Sequence, residues 1–365
     1  MARISGVPLF VRPGVALAAV VAVVAGISFA AFELTEPDSP AVAESSAATP
    51  SILSGGPVLT ANWYESAPYY FVTDNSAPDL GDVIENTGQK AFVMSFVRAP
   101  SAGGCVPTWG STDPVSTDTR VTGIVREVRE HGGGISVSVG GGGGTALGQV
   151  CGTPQATAAA YKTVLDKYQV RAIDFDIERT ELQTPNAVAN ELGAAQILEK
   201  ETPGLFVTIT IPSTANGADS HGVQLLEQAQ RDQLSVAAYT IMPFDDNFHG
   251  ATAQQVALEG FNQQLQSVFG WSALQSWEHE GISQMNGEAD TAEYFSETDF
   301  ASNLKFAETH HMARYTFWSM NRDRQCDPAS NDGQVSTDCS SVAQSTYAFT
   351  RYDTKFAEWT APAAN

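Results

Sequence analysis

Asp174, Asp176 and Glu178 occupy alternate positions of Ala172-Ile173-Asp174-Phe175-Asp176-Ile177-Glu178, a run that otherwise reads as a buried strand. In an extended chain, residues i, i+2 and i+4 share one face. The three carboxyl groups therefore project together, and Ile173, Phe175 and Ile177 face the other way. A strand covered on both sides should be apolar throughout. Each ionised carboxylate taken from water costs several kcal/mol unless it is paired or neutralised. Two neighbouring acids relieve that cost by sharing a proton, while a third is pushed toward its protonated form. A protonated acid beside an ionised pair is what cleavage of a glycosidic bond requires. The plainer readings are a solvated edge strand or a divalent-metal site, although a metal would more naturally take oxygen ligands from a flexible loop.

The rest of the chain says what kind of sheet holds this strand. Strands are expected at Pro68–Val72, Ala91–Val97, Gly134–Val139, Ala172–Glu178, Leu205–Ile211, Val236–Met242, Ile282–Met285 and Tyr315–Trp318. Amphipathic stretches follow at Val121–His131, Gln155–Tyr168, Ala187–Lys200, Gly222–Gln233, Ala251–Phe269, Asp299–His311 and Ser341–Trp359. Thr153-Pro154 is a good helix start, an N-cap with proline in the first turn. Strand-then-helix units in this number predict a closed (β/α)8 TIM barrel, for which 365 residues suffice. An open doubly wound sheet is the runner-up. Glu178 falls at the end of the fourth strand, where a barrel places its chemistry. The five glycines Gly140–Gly144 lack the Lys-Ser/Thr continuation of a phosphate cradle. They read instead as a loop that lets backbone pass close to a substrate or to the neighbouring strand.

Forty-one acidic residues against 19 basic ones give a formal charge of −22, which argues against nucleic acid as a partner. Arg3 and Arg12 precede an apolar run from Val15 to Phe32, an export signal long enough to span a bilayer if retained. Residues 1–32 are thus expected to be a signal peptide or an N-terminal membrane anchor, with Ala41-Val42-Ala43 as a cleavage site. Residues 33–57 read as a flexible linker rich in Pro, Ser and Ala, and residues 58–365 as the catalytic barrel. The expected place is outside the cell, either free or held on the outer face of the membrane. Four cysteines suit that compartment and allow three pairings. Cys326 and Cys339 flank one polar loop, which favours a local bridge and leaves Cys105 for Cys151. No histidine shows ligand spacing; neither a metal nor a cofactor is expected.

Four segments in order carry a resemblance to glycoside hydrolase family 18, most closely to the single-domain bacterial chitinases of the chitinase D type. The family's D-G-x-D-x-D-x-E motif is represented by Arg171-Ala172-Ile173-Asp174-Phe175-Asp176-Ile177-Glu178, without its first Asp and its Gly. Ser138-Val139-Gly140-Gly141 matches S-x-G-G, and Met242-Pro243-Phe244-Asp245 matches the sixth-strand M-x-x-D. Phe317-Trp318-Ser319-Met320-Asn321-Arg322-Asp323 looks like the subgroup's F-W-S-x-N-R-D, and Cys105–Gly110 adds further similarity.

The resemblance implies a retaining enzyme acting on chitin or N-acetylglucosamine oligosaccharides, with the substrate's acetamido oxygen as nucleophile. Carried onto this sequence, Glu178 is the general acid and later the base. Asp176 orients the acetamido group, and Asp174 shares a proton with Asp176. Ser138 supports that pair, Trp318 floors the reacting sugar, and Met242 and Asp245 line the same subsite. Met285 and Asp290 match the subgroup only loosely. Trp63, Tyr69, Tyr70 and Trp109 are further candidates for stacking on sugars. The family's sixth-strand Tyr is absent, its place taken by Phe244 or Asp246; Tyr239, Asn247 or another loop residue are the substitutes to look for. The alternatives are an endo-β-N-acetylglucosaminidase and a non-catalytic sugar-binding protein on the same barrel. The chain is expected to act as a monomer.

Overall fold

Eight parallel strands alternate with eight helices in the computed structural model, which describes residues 58–74, 76–327 and 335–360. The expected leader (1–32), cleavage site and linker (33–57) lie outside the described residues. The strands are β1 (Tyr69–Phe71), β2 (Ala91–Arg98), β3 (Gly134–Gly140), β4 (Ala172–Asp176), β5 (Phe206–Pro212), β6 (Ala238–Met242), β7 (Glu280–Met285) and β8 (Arg314–Trp318). Each is followed by a helix: α1 (Leu80–Thr87), α2 (Arg120–Glu130), α3 (Pro154–Tyr168), α4 (Pro185–Glu201), α5 (Ser220–Arg231), α6 (Gly250–Phe269), α7 (Glu297–His310) and α8 (Thr350–Thr360).

Every strand pairs in parallel with its successor, from β1 with β2 through to β7 with β8. The result is one curled sheet in sequential order, not the reversed order of a doubly wound fold. It departs from the expected closed barrel at one edge: no ladder joins β8 to β1 among the described residues. Side chains span that seam. Thr316 Oγ1 donates to Ala67 O at 2.5 Å, and Asn321 accepts from Phe71 N at 2.8 Å while donating to Phe71 O at 3.1 Å. β1 is only three residues long, which leaves little backbone for a second ladder.

The period-2 pattern of β4 sorts its residues as physical chemistry demands. Ile173, Phe175 and Ile177 are buried on the helix side, where the Phe175 ring meets Tyr161 of α3 edge-on at 5.8 Å. Burying each such side chain stabilises by about 1.5–3 kcal/mol. The inner face carries Tyr69, Ser138, Asp174, Thr208, Thr210, Thr240 and Arg314, all buried. Inside the sheet this polar network lies beside a small apolar cluster of Ala67, Ala91, Val93 and Phe96 packed on Tyr69.

Helix ends follow their caps. Thr153 accepts from Ala156 N at 3.2 Å, as its sequence suggests, and Asp79 and Gly88 delimit α1. The stretch expected to be helical from Ser341 turns helical only at Thr350. Ser341 and Tyr347 take positive φ, and Asp323 accepts from Phe349 N and Thr350 N, holding the approach to α8 extended. Both disulfides join the expected partners, Cys105 with Cys151 and Cys326 with Cys339.

Candidate active site

Asp174 and Asp176 stand two residues apart on the inner face of β4, in opposite circumstances. Asp174 accepts five hydrogen bonds. Thr208 Oγ1, Thr210 Oγ1 and Arg314 Nη1 reach its Oδ1 at 2.7, 2.8 and 2.9 Å. Tyr69 and Ser138 donate to its Oδ2, both at 2.8 Å. A carboxylate offers about four lone-pair sites, so this one is saturated. Arg314, fully buried, forms a salt bridge with it. Asp176 is just as buried, yet its Oδ1 has no hydrogen-bond partner. Burial, then the negative charges of Glu178 and Asp174, push the Asp176 carboxyl well above the ordinary range, while Arg314 and Arg98 pull against them.

Glu178 lies just past the end of β4, where Ile177 N still pairs with Thr210 O at 2.9 Å. Its carboxyl is pushed up to about 7, chiefly by burial, against the opposing charges of Arg179 and Arg98. Asp245 and Asp290 add to the rise. Near neutrality such a group is part protonated, the state a general acid needs.

A cavity of ≈ 270 Å³ opens above these acids at the C-terminal ends of the strands. Asp176 and Glu178 reach it; Trp318, Met242 and Asp245 line it; Asp174 and Ser138 lie beneath it. Trp318 presents part of its ring and is backed by Phe96, stacked at 5.3 Å and 19°. Its neighbour Phe317 turns instead toward α7, against Phe300. Asp245 takes a left-handed backbone (φ 61°) and receives Thr291 N at 3.2 Å; burial and Asp290 push its carboxyl up to about 6. Met285 and Asp290, loosely matched in the sequence, also line the cavity.

Arg98 and Arg179 escape a reading of sequence alone. Both line the cavity beside Glu178. The glycine run makes room for them. A Cβ on Gly141 would lie 2.9 Å from Arg98 Nη2, and one on Gly142 would lie 3.4 Å from both Arg179 Nε and Glu178 Oε1. Gly140 packs still closer to the strand next to it, since an added Cβ would fall 2.3 Å from Asp176 O at φ +88°. The expected close approach is real, and arginine is what it admits.

No direct hydrogen bond joins Asp174 to Asp176, while five donors surround Asp174. No substitute for the missing phenol is found at the named positions either. Tyr239 faces outward against Phe269 and Trp271, Asn247 and Asp246 are exposed, and Phe244 lines the cavity with a bare ring. Of the other aromatic candidates Tyr69 reaches the cavity, its hydroxyl engaged with Asp174. Tyr70 and Trp109 are buried against Pro78 and Tyr168, and Trp63 packs under Lys90.

The chain is similar to chitinases. Over 200 residues it is 26% identical to a "probable bifunctional chitinase/lysozyme" of Escherichia coli K12 and 25% identical to "endochitinase 11" of Metarhizium anisopliae. The matched part is 54% of this chain but only 22% and 37% of those relatives, so the chain spans a minor share of their length. The catalytic domain of a hyperthermophilic chitinase from Pyrococcus furiosus superposes with a TM-score of 0.72 at 25% identity, covering 82% of this chain and 96% of that one. Variants of that archaeal domain have been solved with chito-oligosaccharides. No family model matches the chain. These relatives agree with the resemblance to the family 18 chitinases.

Proposed function

We propose that the protein is an exported retaining chitinase of the chitinase D type. In this reading it cleaves β-1,4 linkages next to N-acetylglucosamine with the substrate's acetamido oxygen as nucleophile. The observation that carries it is the presence of Glu178, Asp176 and Trp318 together in one cavity at the ends of the strands. Glu178, held part protonated by burial, protonates the leaving oxygen and then activates water. Asp176 accepts the acetamido N–H, turning the carbonyl toward the anomeric carbon and offsetting the positive charge of the oxazolinium ion. Trp318 gives the reacting sugar an apolar floor, and Met242 and Asp245 fill the side of the same subsite. Asp174 and Ser138 act from below, by fixing the strand that carries Asp176.

The reading takes the curled sheet as a barrel closed by side chains at its seam. Export rests on the apolar run from Val15 to Phe32 and agrees with the two disulfides. Incubation with N-acetylglucosamine oligomers, with product anomers resolved promptly, tests the activity. A burst of β-anomer that vanishes in Glu178→Gln is expected, whereas unchanged hydrolysis in that variant removes Glu178 as the acid. One observation favours a second reading. With Phe244 in place of a phenol, the acetamido oxygen loses a donor worth roughly 2–4 kcal/mol in the transition state. Oligomer binding without turnover by the native protein would identify a sugar-binding protein instead.

A further inference from the structure

The glycine run after β3 and two arginines that no motif accounts for meet at one wall of the cavity. Arg98, the last residue of β2, is half-buried there. Its Nε donates to Gly140 O at 2.6 Å, and its guanidinium carbon lies 4.9 Å from the centre of the Phe96 ring. Phe96 in turn stacks on Trp318. The glycines keep space beside the guanidinium clear, since an added Cβ would lie 2.9 Å from Nη2 at Gly141 and 3.3 Å from Nη1 at Gly143. Guanidinium carries five N–H donors in a planar fork. Among the described residues, Nη1 and Nη2 of Arg98 make no hydrogen bond, and no salt bridge includes Arg98 or Arg179. Arg179, exposed in the turn after β4, adds a second cation to the same wall beside Gly142.

Neither cation serves the acid next to it. Both draw the Glu178 carboxyl downward, against the protonated state its role requires. Burial meanwhile drives Asp176 and Glu178 toward their neutral forms, which leaves the arginines short of counter-charge. Past the ends of β6 and β7 the sign reverses, with Asp245 and Asp290 on the wall, so an anion in this cavity is favoured at the arginines.

We propose that Arg98 and Arg179 form a carboxylate-binding subsite beside the reacting sugar, and that the glycan this cleft prefers carries an acidic sugar there. The carboxylate belongs either to a 3-O-lactyl ether on N-acetylglucosamine or to a uronic acid. A fork held by Gly140 O and by the Phe96 ring, with both Nη groups unspent, matches a carboxylate bidentately. A plain N-acetylglucosamine chain brings only neutral acceptors. Because Phe96 lies between Arg98 and Trp318, the acidic sugar is the one adjoining that on Trp318. The inference deepens the proposed hydrolase by naming its substrate class, and it rests on that reading for the place of the reacting sugar.

The test is calorimetric binding to the full chain carrying Glu178→Gln, so that no ligand is consumed. The probes are a β-1,4-linked N-acetylglucosamine oligomer, one of equal length with lactyl ethers on alternate sugars, one with alternate glucuronic acid, and the methyl ester of each acid. At least one acid should bind about tenfold or more tightly than its own ester, as expected for a charge-assisted bidentate contact. Which acid does so identifies the sugar. Arg98→Met should bring that ratio to about one. Arg98→Lys should recover only part of it, because an ammonium lacks the fork, and Arg179→Met should reduce it less. Equal binding of both acids and their esters overturns the proposal. So does a folded Arg98→Met that keeps the preference. Should the Arg98 variants not fold, the comparison of acid with ester decides alone. The hydrolase reading fails separately. Turnover of neutral oligomers without any preference for an acid removes the subsite and keeps the hydrolase. Preference for an acid, with no oligomer hydrolysed by the native protein, removes the hydrolase and keeps the subsite.

Discussion

The lower end of β4 is closed chemistry and the upper end is open. At Asp174 every lone pair is answered and a cation sits alongside; at Asp176, two residues on, one oxygen is answered by nothing. Both carboxyls are equally hidden from water, so burial alone does not separate them. What separates them is the supply of donors. β5 gives threonines at 208 and 210 to the lower level, and the level above receives the bare backbone of Gly140 and Gly141. A single strand thus carries a saturated carboxyl and an unpartnered one, set apart by what their neighbours offer.

The difference can be broken first by activity. Asp176→Asn should cost about 10²–10³-fold in kcat, by removing a charge that matters only as positive charge develops on the substrate. Oligomer kinetics would check this. The same change should leave stability unchanged or raise it, because an unpaired buried carboxyl is replaced by a neutral amide. Asp174→Asn should do the reverse to the fold. Leaving Arg314 buried without its anion costs about 3–5 kcal/mol, which chemical denaturation would reveal. If both substitutions destabilise alike, the contrast between the two levels is wrong.

Trp318→Ala comes next. Removing an aromatic floor from a sugar subsite should raise KM by about tenfold or more, on the order of 1.5–3 kcal/mol of apolar contact. Trp318→Phe should recover part of it.

The pH dependence is gentler. In the proposed reaction Glu178 acts only while protonated, so kcat/KM should fall as pH rises through about 7. Linkage has the same sign for stability. A carboxyl whose folded value lies above its unfolded one favours the fold at low pH, and that contribution is lost as pH rises from about 4.5 to about 7. Glu178→Gln should flatten both dependences. A stability that instead increases across that window would contradict the buried environment of Glu178.

Much of this could be read from residues in a row. The alternation of Asp174, Phe175 and Asp176 gave the strand and its two faces, because a period of two is a local property. The order of the strands followed from the alternation of strand and helix units, and Cys326 with Cys339 followed from one loop. What stayed hidden depends on contacts between distant parts of the chain. Arg314 lies 140 positions from Asp174, and nothing near either residue announces the pair. Arg98 follows the apolar strand expected at Ala91–Val97; only the space over Gly141 shows where its guanidinium goes. Helix α1 was missed although Asp79 and Gly88 mark its ends, since eight residues holding a glycine and an asparagine give a weak periodic signal.

The seam between β8 and β1 has a mechanical consequence. Elsewhere around the sheet, separating two strands means undoing a backbone ladder; here it means turning the amide of Asn321 and the hydroxyl of Thr316. Trp318 belongs to this margin, leaning on Tyr69 and Phe71 across it, whereas the acids ride on β4 between two complete ladders. The wall of the cleft can therefore give way to a bulky sugar while the proton-bearing groups hold their spacing.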